Sequence, residues 1–317
     1  MKYIKLALVA TLLASAAVTA SAQTQLKVST GSSSGTYSRM FKEFAAVCKD
    51  QITQIEMPST GSVQNMDRIL ANEVNATIVQ TDVLYYRARN EDLSNIKTLF
   101  ALYPEEVHVV ALKESVIKEG GTMGIGAKPA QINDVGALAG RNVAAWGGSF
   151  VTAQVIRLQT EIAFTVIETD GFKTAIDMLN KGQVAAIIMV GGQPMSDIAS
   201  LTAQYKLLPF TDLTIGKLKS VYVPAKLNYS NMGQGGQGIP TVATEALFVT
   251  RAYKTQKYVE SLAALRACFK ANVDDLAETT GTHKKWASVK SDNTGKWAYY
   301  DLPTVAPVVI TSPSTKK

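Results

Sequence analysis

The sequence predicts an α/β protein of two Rossmann-like lobes with a cleft between them, and three observations carry that prediction. Short apolar strands alternate with amphipathic helices along nearly the whole chain. Small loops rich in Gly, Ser and Thr follow several of the strands and lead directly into helices. The strand–helix order runs through one block, restarts in a second and returns to a final strand and helix, as two lobes joined by crossing strands require. At 317 residues the chain also exceeds the usual size of one compact core.

In chain order, residues 26–30 form the first strand. A helix over 36–50 follows, because Tyr37, Met40, Phe41, Phe44, Ala45 and Cys48 fall on one stripe. Between them, Gly31-Ser32-Ser33-Ser34-Gly35 gathers backbone N–H groups at a helix N-terminus, an anion cradle that the dipole reinforces. A plain small-residue N-cap is the alternative. A strand at 52–57 leads through Pro58-Ser59-Thr60-Gly61-Ser62 into a helix faced by Val63, Met66 and Leu70. The strand 76–80 ends in Gln80-Thr81-Asp82, where Thr81 or Asp82 caps a helix through Tyr85 and Arg87. Residues 107–112 form another strand, and the glycine-rich segment 119–129 is a surface excursion. In an open α/β sheet, loops of this kind gather beyond the strand C-termini, where ligands bind.

The pattern restarts where Asn133-Asp134 caps a short helix over 135–139. A strand at 141–145 ends at Trp146-Gly147-Gly148-Ser149-Phe150, and a helix runs from 151 to about 160. Residues 164–168 are strand, Phe172, Ala175, Ile176 and Leu179 are one helix face, and 184–190 is a buried strand ending in Gly191-Gly192-Gln193-Pro194. A further helix follows, then a strand near 242–250 and a helix at 259–270. Placing the crossings near Leu112 and Thr241 divides the chain into a leader (1–22), one lobe of 23–111 and 241–317, and a second lobe of 112–240. No period of 20–50 residues supports a solenoid.

The leader is legible because Lys2 and Lys5 precede the apolar run 6–13 and Ala20-Ser21-Ala22 precedes Gln23. This is the pattern of a secretory signal peptide, too short to span a membrane, so the expected location is the periplasm. Without its two lysines the formal charge of +6 becomes +4. So mild an excess, with no long Lys/Arg run, gives no reason to expect nucleic acid or a membrane as partner. Export places Cys48 and Cys268, the two cysteines, in an oxidising compartment. A single disulfide is then chemically allowed, and a pair of small buried hydrophobes is the alternative.

Gly31-Ser32-Ser33-Ser34-Gly35 also matches the G-x-S-x-G nucleophile elbow, so a serine hydrolase using Ser33 is a remote alternative. One mature strand precedes Ser33, His108 falls inside a predicted strand, and His283 lies in a Thr/Lys-rich surface segment. No enzyme is expected. Two separated histidines and two distant cysteines lack metal-ligand spacing. The glycines of 121–126 and 233–238 open no helix after a strand, so neither a P-loop nor any cofactor is expected.

Six segments together resemble a known family. They are residues 30–37, Thr60-Gly61-Ser62-Val63 with the helix to Gln80, Leu102-Tyr103-Pro104-Glu105-Glu106-Val107-His108, Leu138-Ala139-Gly140-Arg141-Asn142-Val143, Val190-Gly191-Gly192-Gln193-Pro194 and Ile239-Pro240-Thr241-Val242-Ala243. In order and spacing the chain resembles the solute receptors of TAXI-type TRAP transporters. The resemblance implies a type II periplasmic-binding-protein fold. It also implies a receptor that closes on a small organic anion, a dicarboxylate or an acidic amino acid such as glutamate, and hands it to a separate sodium-coupled membrane permease. The loop at Trp146, the segment 119–129 and the tail after Gly281 depart from the family pattern.

On this reading Ser33, Ser34, Gly35 and Thr36 receive one carboxylate, Thr60, Gly61 and Ser62 supply further donors, and Gln80 bonds a polar substituent. Tyr37 points into the cleft or packs in the core. Trp146 forms an apolar wall or packs within its own lobe, Gly148, Ser149 and the Phe150 N–H meet the ligand's other end, and Gly191, Gly192 and Gln193 complete the rim. No arginine lies within these loops, and Arg39, off the apolar stripe, is expected to face solvent. Neutral donors then dominate, and a monomer is expected. The runner-up is the receptor of an ABC importer for an oxyanion or another small anion.

Overall fold

The computed structural model describes residues 24–121 and 125–305. The expected leader lies outside them. Three strand–helix units open the fold: β1 (Gln25–Ser29) with α1 (Thr36–Cys48), β2 (Thr53–Met57) with α2 (Ser62–Leu70), and β3 (Ala76–Gln80) with α3 (Thr81–Arg87). The stripe on α1 is buried at Tyr37, Met40, Phe41, Phe44 and Cys48. Gly61 precedes α2 with φ of 115°, a conformation that glycine supplies without a Cβ penalty. β4 (Ile96–Leu112) then runs 17 residues, well beyond the predicted strand. The excursion after it is an exposed hairpin of β5 (Lys118–Glu119) and β6 (Lys128–Pro129).

Asp134 accepts the Ala137 N–H and so caps a 3₁₀ turn, Val135–Leu138. Next come β7 (Asn142–Ala145), α4 (Gly147–Thr160), β8 (Thr165–Glu168), α5 (Phe172–Asn180), β9 (Ala186–Gly191) and α6 (Ser196–Ala199). β10 (Tyr205–Leu207), α7 (Asp212–Leu218) and β11 (Val223–Leu227) have no counterpart in the sequence reading. A 3₁₀ segment, Ser230–Gly236, leads to β12 (Ile239–Arg251), α8 (Gln256–Glu278) and a last 3₁₀ turn, Lys284–Ser288.

These strands form one sheet in the order β2-β1-β3-β12-β4-β9-β7-β8, with β10 on β4 and β11 on β12. Two parallel wings, β2-β1-β3 and β9-β7-β8, flank the antiparallel pair β12 and β4. The two long strands join the wings through their own pairing, β12 on the β3 side and β4 on the β9 side. β12 pairs with β3 through residues 246–250 and with β11 through 239–243. β4 pairs with β12 over 96–106 and with β9 over 106–110, so the pairing changes at Glu106. The sequence reading sets these crossings near Leu112 and Thr241.

α1 and α8 pack together over the first wing, where the rings of Phe100 and Phe269 stack 3.8 Å apart between Phe44 and Phe248. Cys48 and Cys268 form a disulfide there, with Cα atoms 6.0 Å apart, tying α1 to α8 across 220 residues. On the opposite side α3 meets α4, and one apolar core is continuous between the wings through Met66, Val83, Val151 and Ile156. Asp82 does not cap α3. Its Oδ2 is buried at this seam, accepting from Thr152 at 2.6 Å and Tyr222 at 2.8 Å, and burial pushes its pKa up. The N-cap is Gln80, with no side-chain bond.

Candidate functional site

A cavity of about 530 Å³ opens where the C-terminal ends of β1, β2 and β3 face those of β7 and β9. Ligands of open α/β sheets sit in this place. Three helices of nine residues or more begin at its wall: α1 after Gly35, α2 after Gly61 and α4 after Trp146. None of the three has a capping side chain or an acidic residue in its first turn. Their first N–H groups therefore have no partner within the helix, and the dipoles add positive potential at the cavity. α4 starts at Gly147, four residues earlier than predicted, so Gly148 and Ser149 are themselves first-turn residues.

Buried polar side chains hold these starts in place. Asn65 accepts from the hydroxyls of Ser29 and Ser59, each at 2.6 Å, and donates to the carbonyls of Thr30 and Ile78 at 2.5 and 2.7 Å. One amide thereby locks the ends of β1 and β3 to the loop before α2. The Ser62 hydroxyl accepts the Gln80 N–H at 3.1 Å, and the Ser149 hydroxyl accepts the Val190 N–H at 3.0 Å. Both serines are thus committed to the framework through their side chains. Gly147 and Gly148 allow the second wing to reach the first: a Cβ on Gly147 would lie 3.0 Å from the Thr60 carbonyl oxygen, and one on Gly148 only 1.9 Å from Gln80 Oε1.

Of the predicted residues, Ser34, Gly35, Thr36, Tyr37, Thr60, Gly61, Ser62 and Gln80 line the cavity from the first wing, and Trp146, Gly148, Ser149 and Gly191 from the second. Four others do not. Ser33 is exposed outside it. Phe150 packs its ring against the core between the wings, and its N–H donates to the Trp146 carbonyl at 3.2 Å, so it has no donor to offer a ligand. Gly192 is pressed against Lys285 and Tyr103. Gln193 is used up in structure, its backbone N–H on Glu106 Oε2 and its side-chain amide on the Lys226 carbonyl and the Asn228 N–H. Tyr37 does both things left open: its ring is buried on the α1 stripe and its hydroxyl reaches the cavity wall.

Among the cavity residues that sequence reasoning missed, Glu105 is the most buried acid. It lines the cavity at 4% exposure and accepts the Tyr37 hydroxyl at 2.6 Å. Burial pushes its pKa up to about 8, against the opposing pull of the Tyr37 hydrogen bond. Its neighbour Glu106 faces the other way, as strand alternation dictates, and pairs with Lys285 Nζ at 2.6 Å. Asp170, Asp197 and His283 also line the cavity, and burial raises the pKa of Asp197 and lowers that of His283. Arg39 reaches the cavity edge, where Glu43 and the Gly281 carbonyl engage its guanidinium. Apolar surface comes from Trp146, Met189, Val190 and Met195. His108 lies apart, bonded to Tyr229 and the Glu106 carbonyl, and burial lowers its pKa to about 3. Neither histidine hydrogen-bonds Ser33.

A model of the NMT1-like family matches residues 28–299. Among solved structures, Tv2483 bound to L-arginine is similar with a TM-score of 0.50 at 12% identity, over 81% of this chain and 91% of that one. A protein from Bordetella bronchiseptica RB50 gives a TM-score of 0.51 at 13% identity, over 84% of this chain and 76% of that one. The substrate-binding protein of an amino acid ABC transporter gives 0.47 at 11% identity, over 80% and 94%. At such identities the likeness concerns the fold alone. Among the described residues no helix is long and apolar enough to cross a membrane.

Proposed function

The chain belongs to the NMT1-like family, and on that premise we propose that it is the extracytoplasmic receptor of a TAXI-type TRAP transporter. It captures a small organic anion, a dicarboxylate or an acidic amino acid such as glutamate, and delivers it to a separate sodium-coupled permease. The observation that carries this reading is the convergence of three uncapped helix starts, two from one wing and one from the other, on a single cavity. Such starts bind carboxylates without needing a guanidinium. The disulfide supports export to the periplasm.

Cavity size favours this reading over an oxyanion receptor of an ABC importer. About 530 Å³ lies in the range of organic-ligand sites and leaves a sulfate or phosphate loose. Thermal-shift measurements against glutamate, 2-oxoglutarate, C4-dicarboxylates, phosphate and sulfate test it. A ligand at 100 times its Kd stabilises the protein by about 2.7 kcal/mol, and an organic anion is expected to produce that shift. A response confined to phosphate or sulfate contradicts the proposal. Sodium-driven uptake by vesicles carrying the cognate permease and this protein, absent without either, tests the partner.

A further inference from the structure

We propose that Glu105 selects ligands carrying a protonated amine over plain carboxylates, and that seating the amine drives a proton from the cavity into solvent. This rests on the receptor reading above and narrows it. One oxygen of Glu105 accepts the Tyr37 hydroxyl, and among the described residues no group hydrogen-bonds the other, although the residue is more than nine-tenths buried in the cavity wall. The hydroxyl of Tyr103, also on that wall, is buried beside Thr36 without a hydrogen bond of ordinary geometry. A buried hydroxyl without a partner, as at Tyr103, carries a desolvation penalty that a polar ligand group removes, and the second Glu105 oxygen is left free to accept from a ligand donor.

Position decides which ligand group that is. Tyr37 is the second residue of α1, and its hydroxyl lies 3.4 Å from that of Ser62, the first residue of α2. Glu105 is thus joined to the Ser62 side chain at the α2 start through the Tyr37 hydroxyl that lies between them. A ligand that carries both a carboxylate and an ammonium, as an amino acid does, can set the first at the helix starts and the second on Glu105, since both line one cavity. The charge count agrees. Asp170 and Asp197 share the cavity with Glu105, while the Arg39 guanidinium is already engaged. A ligand bearing only negative groups would add to this excess.

The titratable groups whose charge or hydrogen bond acts on Glu105 are Tyr37 on α1, Asp82 on α3, Glu106 and Tyr103 on β4, and Lys285 of the last 3₁₀ turn, itself paired with Glu106. Burial and the neighbouring acids keep Glu105 protonated in the empty site. An arriving ammonium favours the carboxylate. The carboxylic acid then becomes carboxylate, its proton passes to solvent, and the amine keeps all of its own protons. Affinity for amines rises with pH and levels off above about 8, the folded-state value of Glu105. For a ligand presenting a carboxylate to Glu105 the dependence reverses.

Calorimetry on matched pairs tests this: L-glutamate against glutarate, L-aspartate against succinate, and L-leucine against 4-methylpentanoate, each in two buffers of different ionisation enthalpy at pH 7. At least one amino acid is expected to bind about 10-fold or more tighter than its partner and to release close to one proton. Glu105→Gln, which keeps the side-chain shape and can still accept from Tyr37, should abolish the proton release and bring the pair within about 3-fold. Equal binding within the pairs, or an unchanged preference and proton release in Glu105→Gln, overturns the assignment while leaving the cavity a solute site. Binding of none of the six ligands overturns the receptor reading and this assignment together.

Discussion

The first wing meets the cavity with the starts of α1 and α2, Tyr37 and Gln80, beside Glu105 of β4, whereas the second meets it with the start of α4, Asp170, Asp197 and the apolar surface of Trp146, Met189 and Met195. The supports differ as well. Asn65 makes four hydrogen bonds beneath the first-wing loops, and a disulfide and a cluster of four phenylalanines stiffen the helices behind them. The second wing relies on Ser149 tied to Val190 and on two glycines that let it come close to Thr60 and Gln80. Donor geometry is fixed on one side and cover is supplied from the other. Recognition by fixed donors avoids an ordering cost at each binding event, which is how pre-organised sites gain affinity.

The strongest way to break this contrast is to remove the stiffening behind the first wing. Replacing Cys48 and Cys268 together by Ala should cost about 2–5 kcal/mol of stability in denaturant titrations, because the bridge closes a very long loop. Ligand affinity should move little, since the bridge lies behind α1 and away from the cavity. A large affinity loss would show that the first wing is held by the bridge rather than by Asn65. Asn65→Ala comes next, at about 2–4 kcal/mol, because it removes four buried hydrogen bonds at once and leaves the Ser29 and Ser59 hydroxyls to donate only in the longer bonds to the Met57 and Thr30 carbonyls. It should also weaken binding at least tenfold, where a mutation of equal cost in the α8 core should not.

The third prediction concerns pH. Glu105 has a folded pKa of about 8 against an ordinary 4.5, so the folded state holds its proton more tightly than the unfolded one. Its stabilising contribution is complete below 4.5 and is lost as pH rises through about 8. In between, the wild type without ligand should lose up to about 1.4 kcal/mol per pH unit relative to Glu105→Gln. Parallel stability curves for the two proteins from pH 5 to 8 would contradict the burial account. Smallest of all, Ser33→Ala and Gln193→Ala should leave ligand affinity within about 2-fold, since neither side chain reaches the cavity.

The same contrast explains what the sequence disclosed. β1 with α1 and β2 with α2 were legible because each combines an apolar strand, a small-residue loop and a clear helix stripe, all local signals. The start of α4 was read too late because Trp146-Gly147-Gly148-Ser149 has the composition of a loop, while Ser149 and Thr152 serve contacts made elsewhere in the fold. The first half of β4 was missed for a related reason. Tyr103-Pro104-Glu105-Glu106 shows neither alternation nor an apolar run, and its two acids are buried only because Tyr37 lies 68 residues before one and Lys285 179 residues after the other. A buried carboxyl defined by such distant partners leaves no local trace. Gln193 failed in the opposite sense, since its position after β9 suggested a rim while Lys226 and Asn228 claim its side chain.

Central to the account is that ligand charge is sorted inside the cavity, with carboxylate at the helix starts and amine at Glu105. A crystal structure with the best-binding amino acid present measures this directly. The account predicts the carboxylate against the first N–H groups of α1 and α2 and the ammonium within hydrogen-bond distance of Glu105. A ligand seated end for end, with its amine turned away from Glu105, or seated outside this cavity, would contradict it.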